Sequence, residues 1–324
     1  MSGKRAGGTL RGCLLSYFQQ MNVPPIRAMK PIKPDLMLVQ TEKGKTLVAK
    51  RFKGEKSLLR QMEFLTLLRE SGFHNSYVFS ESFPPFEYGA KSIGFLSYIP
   101  PHEQSFTYRN QRERAEGLVL LKKMHAASIR ISHRLRYLPD LPYNQVSKWK
   151  ERLAEFKRNE TILRPFLPEK VYQGYASMGK WALRELKGQE IGEGEEPVII
   201  HGDLAHHNFL RREDGKLFLI DFDLMARAPA IVDDLQYANR LLVYNGYSLK
   251  NILSMRPFRD YAVSREFLIG LGYPTDIYRE WNRICRDNLW TDRRRMRVMH
   301  EYTLNDYQER LRFFKKIKHA VDNL

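Results

Sequence analysis

The stretch HGDLAHHNFL, residues 201–210, carries three histidines, an aspartate and an asparagine. Three chemistries fit that composition. His201, Asp203, His206 and His207 are all residue types that ligate metals. However, helical histidine zinc sites place their ligands at i and i+4, the chain has no HExxH, and adjacent His206 and His207 on an extended loop would point different ways. A polar turn with solvent-facing histidines is the plainest alternative. The third possibility draws on residues further along the chain. Asn208 comes five residues after Asp203, and Asp221 closes LFLID thirteen residues after Asn208. Phosphoryl transfer to a hydroxyl calls for such a set: one carboxylate to accept the hydroxyl proton, and an amide oxygen with a second carboxylate to hold Mg²⁺ against phosphates. On this reading His201 fixes the loop backbone through a hydrogen bond and is no metal ligand.

Strands on either side must position these groups. VIIHGDL reads as strand and loop, and NFLRREDGKLFLIDFD as a hairpin turning at Asp214-Gly215, which brings Asn208 and Asp221 side by side. Earlier in the chain, IRAMKPI, DLMLVQT and TLVAKRF read as three strands, with Gly44 supplying positive φ in the turn between the last two. SLLRQMEFLTLLRESG comes next as a helix with Ser57 at its N-cap, Gly72 just past its end, and Leu58, Met62, Leu65 and Leu68 as its apolar stripe. YVFSESFPPF and SIGFLSYI read as two further strands. This order puts Lys50 on the third strand and Glu63 on the next helix, a lysine–glutamate pairing of the kind that orients α- and β-phosphates in kinase-type folds. Beyond the two prolines of PPHEQSF the chain is mostly helical.

Composition bounds the partners. The 324 residues are 43% hydrophobic, enough for one large or two modest domains. With 54 Lys+Arg against 37 Asp+Glu the net charge is +17, a field that attracts anions without choosing among them. Two cysteines, Cys13 and Cys285, offer neither a CxxC site nor a disulfide framework, which suits a reducing compartment. No apolar run approaches a membrane span, and the N-terminus does not read as a signal peptide. The basic C-terminal helix YTLNDYQERLRFFKKIKHAV places Tyr307, Leu311, Phe314 and Val321 along one stripe and reads as a docked amphipathic helix, not a nucleic-acid reader.

HGDLAHHNFL…LFLIDFD, with KKMHAAS, VSKWKERLAEFK, RQMEFLTLL and VDDLQ, resembles the aminoglycoside phosphotransferase and choline kinase branch of the protein-kinase-like fold, and within it the CotS-type bacterial spore-coat proteins. The resemblance implies an α+β, two-lobed fold: a basic lead-in (1–25), a nucleotide-binding lobe with a small antiparallel sheet (26–99), and a larger, mainly helical catalytic lobe (100–324). It implies ATP and Mg²⁺ as cofactors and a hydroxyl-bearing small molecule as acceptor. Asp203 then matches the catalytic base, Asn208 and Asp221 the metal ligands, Lys50 and Glu63 the phosphate-orienting pair, and Ser97, Tyr98 and Ile99 the hinge that meets adenine. Asp234 matches an aspartate that braces the catalytic loop, and His125 a histidine packed beneath it. The implied location is the mother-cell cytoplasm or the spore coat, with other coat proteins as partners.

The sequence departs from this pattern between the first two strands. MKPIKPDLM contains no glycine, and Pro31 and Pro34 remove two backbone donors where a glycine loop would approach phosphate. Asp223 replaces the glycine that follows Asp-Phe in protein kinases, a position where the resemblance to antibiotic and choline kinases allows an acidic residue. An active phosphotransferase and a catalytically silent kinase-fold coat protein are therefore both compatible with the sequence.

Overall fold

The computed structural model describes residues 9–21, 23–137 and 143–324. In chain order these form α1 (Leu10–Gln20), β1 (Ile26–Lys33), β2 (Leu36–Thr41), β3 (Thr46–Phe52), α2 (Glu55–Glu70), β4 (Phe86–Tyr88), β5 (Lys91–Ser97) and α3 (Gln111–Ile129). Next come α4 (Gln145–Arg158), α5 (Glu160–Leu163), α6 (Glu169–Glu185), β6 (Val198–Ile200), β7 (Phe209–Arg211), β8 (Leu217–Leu219) and β9 (Ala226–Ala228). The chain ends with α7 (Ala230–Leu241), α8 (Leu249–Leu253), α9 (Arg265–Gly272), α10 (Thr275–Arg286), α11 (Arg293–Leu304) and α12 (Tyr307–Asp322). This is the expected α+β architecture, a small antiparallel sheet and a larger helical part. The chain divides into two compact units.

The first unit comprises Met1–Thr107, Val119–Asp140 and Ala205–Met225, so it takes in more than residues 26–99. Its five-stranded sheet has the order β1-β2-β3-β5-β4. Strand alternation gives that sheet two apolar faces. Met37, Val39, Leu47, Ala49, Ile93 and Phe95 pack on one side against Leu10, Cys13, Leu14 and Tyr17 of α1. Residues Leu10–Gln20 of the lead-in are therefore a docked helix. Its i, i+3, i+4, i+7 spacing was present in the sequence, and Thr9 caps it by accepting the Gly12 N–H. Val48 and Lys50 have the opposite parity and face the other side, near α2. Gly94, paired with Lys50, permits this close approach: a Cβ there would lie 2.8 Å from the Leu58 side chain.

Local chemistry accounts for several boundaries. Gly44 and Gly72 both take positive φ, as read from sequence. α2 starts earlier than Ser57, with Gly54 at its N-cap. YVFSESFPPF does not form a strand as expected: Phe79 makes only an isolated bridge to Leu96, and the fifth strand is the short β4 that lies past the two prolines. Proline cannot donate to a ladder, so pairing resumes only beyond Pro85.

The second unit comprises Tyr108–Leu118, Leu141–Leu204 and Ala226–Leu324. It is helical apart from the antiparallel β6–β9 pair. Trp281, Tyr172, Tyr175 and Tyr278 are fully buried at its centre. Its C-terminal region corrects the predicted stripe. The segment is two helices, α11 and α12, and α12 buries Tyr307, Arg310, Phe313, Ile317 and Val321, while Leu311 and Phe314 are only partly buried. Arg310 also lies on the inner face, where it forks onto Asp276 at 3.0 and 2.6 Å. A buried guanidinium matched two-for-two by a carboxylate is how a charge can occupy a helix's inner face.

Candidate active site

In the first unit, Phe222 decides where its flanking aspartates point. Its ring is buried against Phe64 of α2 (5.5 Å between centroids) and Tyr77 (6.2 Å). Burying a phenylalanine contributes about 1.5–3 kcal/mol, enough to pin the segment. Asp221 and Asp223 then both turn to Lys50, whose Nζ donates to Asp221 Oδ1 at 2.9 Å and to Asp223 Oδ1 at 2.6 Å. Burial works against the ammonium. Tyr77 and the carboxylates of Asp221 and Asp223 outweigh burial and raise its pKa above the usual lysine value. Asp221 has φ 68°, a left-handed conformation that Asp tolerates better than most residues.

The hairpin delivers Asn208. β7 and β8 pair with Phe209 opposite Leu219, and the Ile220 N–H donates to the Asn208 carbonyl at 2.9 Å, so the turn leading to Asp221 begins beside Asn208. Asn75 fastens the hairpin: its Nδ2 donates to the Leu217 carbonyl, and its own backbone carbonyl accepts the Leu219 N–H. Lys50, Ser97, Tyr98, Ile99, Asn208 and Asp221 all line one cleft of about 760 Å³ in this unit. The Ser97 N–H donates to the Val78 carbonyl, away from β3, and Tyr98 and Ile99 follow along the cleft wall.

Glu63 is not in this cleft, and it does not pair with Lys50. It accepts the N–H groups of Arg136 and Tyr137 and pairs with the Arg136 guanidinium at 3.2 Å. The reason is helical phase. Residues of α2 advance about 100° each, so Glu63 lies about 200° round from Gln61, and it is Gln61 that faces inward. Gln61 is buried, donates to Asp223 Oδ1 at 2.6 Å and accepts from the Tyr77 hydroxyl at 3.0 Å. Sequence reading missed Gln61, although it completes the buried row Leu58, Gln61, Leu65, Leu68. It also missed Asp223 as a partner of Lys50.

The β1–β2 connection is a two-residue turn, Pro34-Asp35, with Lys33 opposite Leu36. Asp35 ties it to β3: its carboxylate meets Arg51 Nε at 2.6 Å and its carbonyl accepts the Arg51 N–H. A proline hairpin clamped in this way has few backbone donors to offer a phosphate. Lys30, Lys33 and Lys53 line the same cleft and supply charge instead.

The donor set suits a hard divalent cation. Two partly exposed carboxylates, Asp221 and Asp223, converge on one point, Asn208 lines the same cleft, and all can offer oxygen. Among the described residues, no three His, Cys, Asp or Glu side chains gather as a metal site. His201 is buried, and its Nδ1 accepts the Asp203 N–H at 3.2 Å, which makes it a prop for the loop.

In the second unit, α7 holds the loop that carries Asp203. Asp233, fully buried, accepts the His201 N–H at 2.7 Å and the Gly202 N–H at 3.0 Å. Gln236 accepts the Leu204 N–H and donates to the Gly202 carbonyl. The brace is thus Asp233 and not Asp234, which accepts the Tyr261 hydroxyl at 2.6 Å. Adjacent helical residues point about 100° apart, and the VDDLQ spacing does not say which faces the loop. Asp203 is partly exposed, with Arg240 of α7 3.6 Å away.

Comparison with known proteins agrees with this fold. No curated protein matches the chain. An aminoglycoside phosphotransferase from Alicyclobacillus acidocaldarius is similar over 99% of both chains at 16% identity, TM-score 0.69. A choline/ethanolamine kinase family protein from Mesorhizobium loti is similar over 96% of this chain and 98% of its own at 12% identity, TM-score 0.57. Amicoumacin kinase hAmiN, in complex with AMP-PNP, Ca²⁺ and Ami, is similar over 97% and 93% at 12% identity, TM-score 0.55. Residues 33–235 match the model of the phosphotransferase enzyme family, and the chain belongs to that family.

Proposed function

We propose that the protein is a Mg-ATP-dependent phosphotransferase acting on a hydroxyl of a small molecule. The observation that carries this reading is the cleft in which Lys50 meets Asp221 and Asp223 at 2.9 and 2.6 Å, with Tyr98 and Ile99 on its wall. Tyr98 and Ile99 would hold the base. Lys50, helped by Lys30, Lys33 and Lys53, would hold the phosphates. Asn208, Asp221 and Asp223 would hold Mg²⁺, which when bound neutralises charge on the phosphoryl oxygens. Asp203 accepts the acceptor's proton as its oxygen bonds to the γ-phosphorus and the bond to the β-phosphate oxygen breaks, releasing ADP.

A silent coat protein is the second reading, favoured by the clamped proline hairpin and by the absence of a Lys50–Glu63 pair. Spore-coat association, coat-protein partners and a mother-cell location rest on sequence resemblance alone. Two measurements separate the readings. Mg-ATP should raise the melting temperature of the purified protein, with about 2.7 kcal/mol of stabilisation at 100 times its dissociation constant. Asp203→Asn should then lower phosphoryl-transfer turnover by about 10²–10⁴ with nucleotide binding intact. No shift at millimolar Mg-ATP refutes the enzyme.

A further inference from the structure

The second unit holds a cation that its own fold does not satisfy. Arg240, in the last turn of α7, has a guanidinium with five N–H donors and no hydrogen bond to any described residue. Among the described residues its one ion pair is with Asp203 Oδ1 at 3.6 Å, too far for a hydrogen bond, and its side chain is only 24% exposed. Burial first, and the like charge of Arg279 second, pull its pKa below the usual arginine value despite Asp203, Asp276 and Tyr108 nearby. Asp276 relieves it little, because that carboxylate is committed to the Arg310 guanidinium. Arg279 is partly neutralised by Glu280 at 3.1 Å.

The geometry around Asp203 is also rigid. Asp233 and Gln236 fix the loop backbone from α7, and the Tyr108 hydroxyl donates to the Leu204 carbonyl at 2.7 Å. Arg240 belongs to the same helix, so its backbone is fixed relative to the loop that carries the proton-accepting carboxylate. An arginine whose one close carboxylate lies beyond hydrogen-bond distance disfavours a polycation and keeps its N–H donors available to an anion.

We propose that the acceptor is a hydroxy acid, whose carboxylate forks onto Arg240 while its hydroxyl meets Asp203. The inference rests on the phosphotransferase reading for its chemistry but on Arg240 for its selectivity. A planar carboxylate matches two parallel guanidinium N–H groups, and the 3.6 Å gap to Asp203 places the acid within a few bonds of the reacting hydroxyl.

The test is isothermal titration of the full chain, without nucleotide, using matched pairs: D-glycerate against glycerol and D-gluconate against glucose, with kanamycin as a polycation. The wild type should bind each acid about 10- to 100-fold more tightly than its neutral counterpart, the range expected of charge-assisted hydrogen bonds. Arg240→Gln, which removes the charge and keeps a polar side chain, should erase that preference, and Arg240→Lys should restore part of it. The proposal is overturned if neither acid binds more tightly than its counterpart, if kanamycin binds more tightly than both acids, or if the preference survives in Arg240→Gln, which would assign it to the general +17 field. A wild type that prefers the acids but ignores Mg-ATP would sink the phosphotransferase reading and leave the acid site standing.

Discussion

Replacing Asp233 with alanine removes the acceptor of two backbone N–H groups, His201 at 2.7 Å and Gly202 at 3.0 Å, from a fully buried position. A hydrogen bond to a charged group contributes about 1.5–3 kcal/mol, so the two together come to about 3–6 kcal/mol. That is a large share of the stability of an ordinary domain, about 5–15 kcal/mol. The assay is urea unfolding followed by tryptophan fluorescence. All four tryptophans, Trp149, Trp181, Trp281 and Trp290, lie in the second unit with Asp233, so the signal reports on the part that is perturbed. Asp233→Asn retains one acceptor oxygen and should lose about half as much. Activity should fall in both variants, because Asp203 sits on the loop that these bonds hold. A loss below about 0.5 kcal/mol in Asp233→Ala, within the range of an ordinary surface substitution, would refute the assignment of Asp233 as the brace.

Asp221→Asn should abolish Mg-dependent nucleotide binding and leave the melting temperature nearly unchanged, since Asn also tolerates φ near 68°; unchanged Mg-ATP affinity would count against the cleft. Gln61→Leu should cost about 1–3 kcal/mol in a denaturant titration by stranding the buried Tyr77 hydroxyl. By contrast, Glu63→Ala should leave the nucleotide dissociation constant within about twofold in the same calorimeter, because Glu63 serves Arg136. Burial would raise the Asp276 pKa, but Arg310 outweighs it and holds the carboxyl down at about 2. A depressed carboxyl pKa stabilises the fold above the unfolded value near 4 and loses that contribution as pH falls toward 2. The stability gap between wild type and Asp276→Asn should therefore shrink from pH 4 to pH 2; a gap independent of pH would show that the ion pair is not formed.

Local features were legible in the residues alone. Strand alternation, the glycines at positive φ and the period of α2 depend on neighbours a few residues away, and β1 to β3, β5, α2 and the β7–β8 hairpin can all be read from them. The Lys50, Asn208 and Asp221 residue types, in that order, carried enough chemistry to point to phosphoryl transfer. α1 was equally legible in the spacing of Leu10, Cys13, Leu14 and Tyr17 but was obscured by the basic, glycine-containing residues around it. Packing settled which side chain meets which. Gln61 and not Glu63 turns inward, and Asp233 and not Asp234 takes the loop, because a shift of one or two residues rotates a helical side chain by about 100–200° and only the packed partner selects the phase. Arg310 could be read as inward-facing only with Asp276 in place, since burying a charge is tolerable only opposite a matched one. Arg240 beside Asp203 joins two distant positions through a loop pinned to a helix, a proximity set by the fold and by no local rule of sequence.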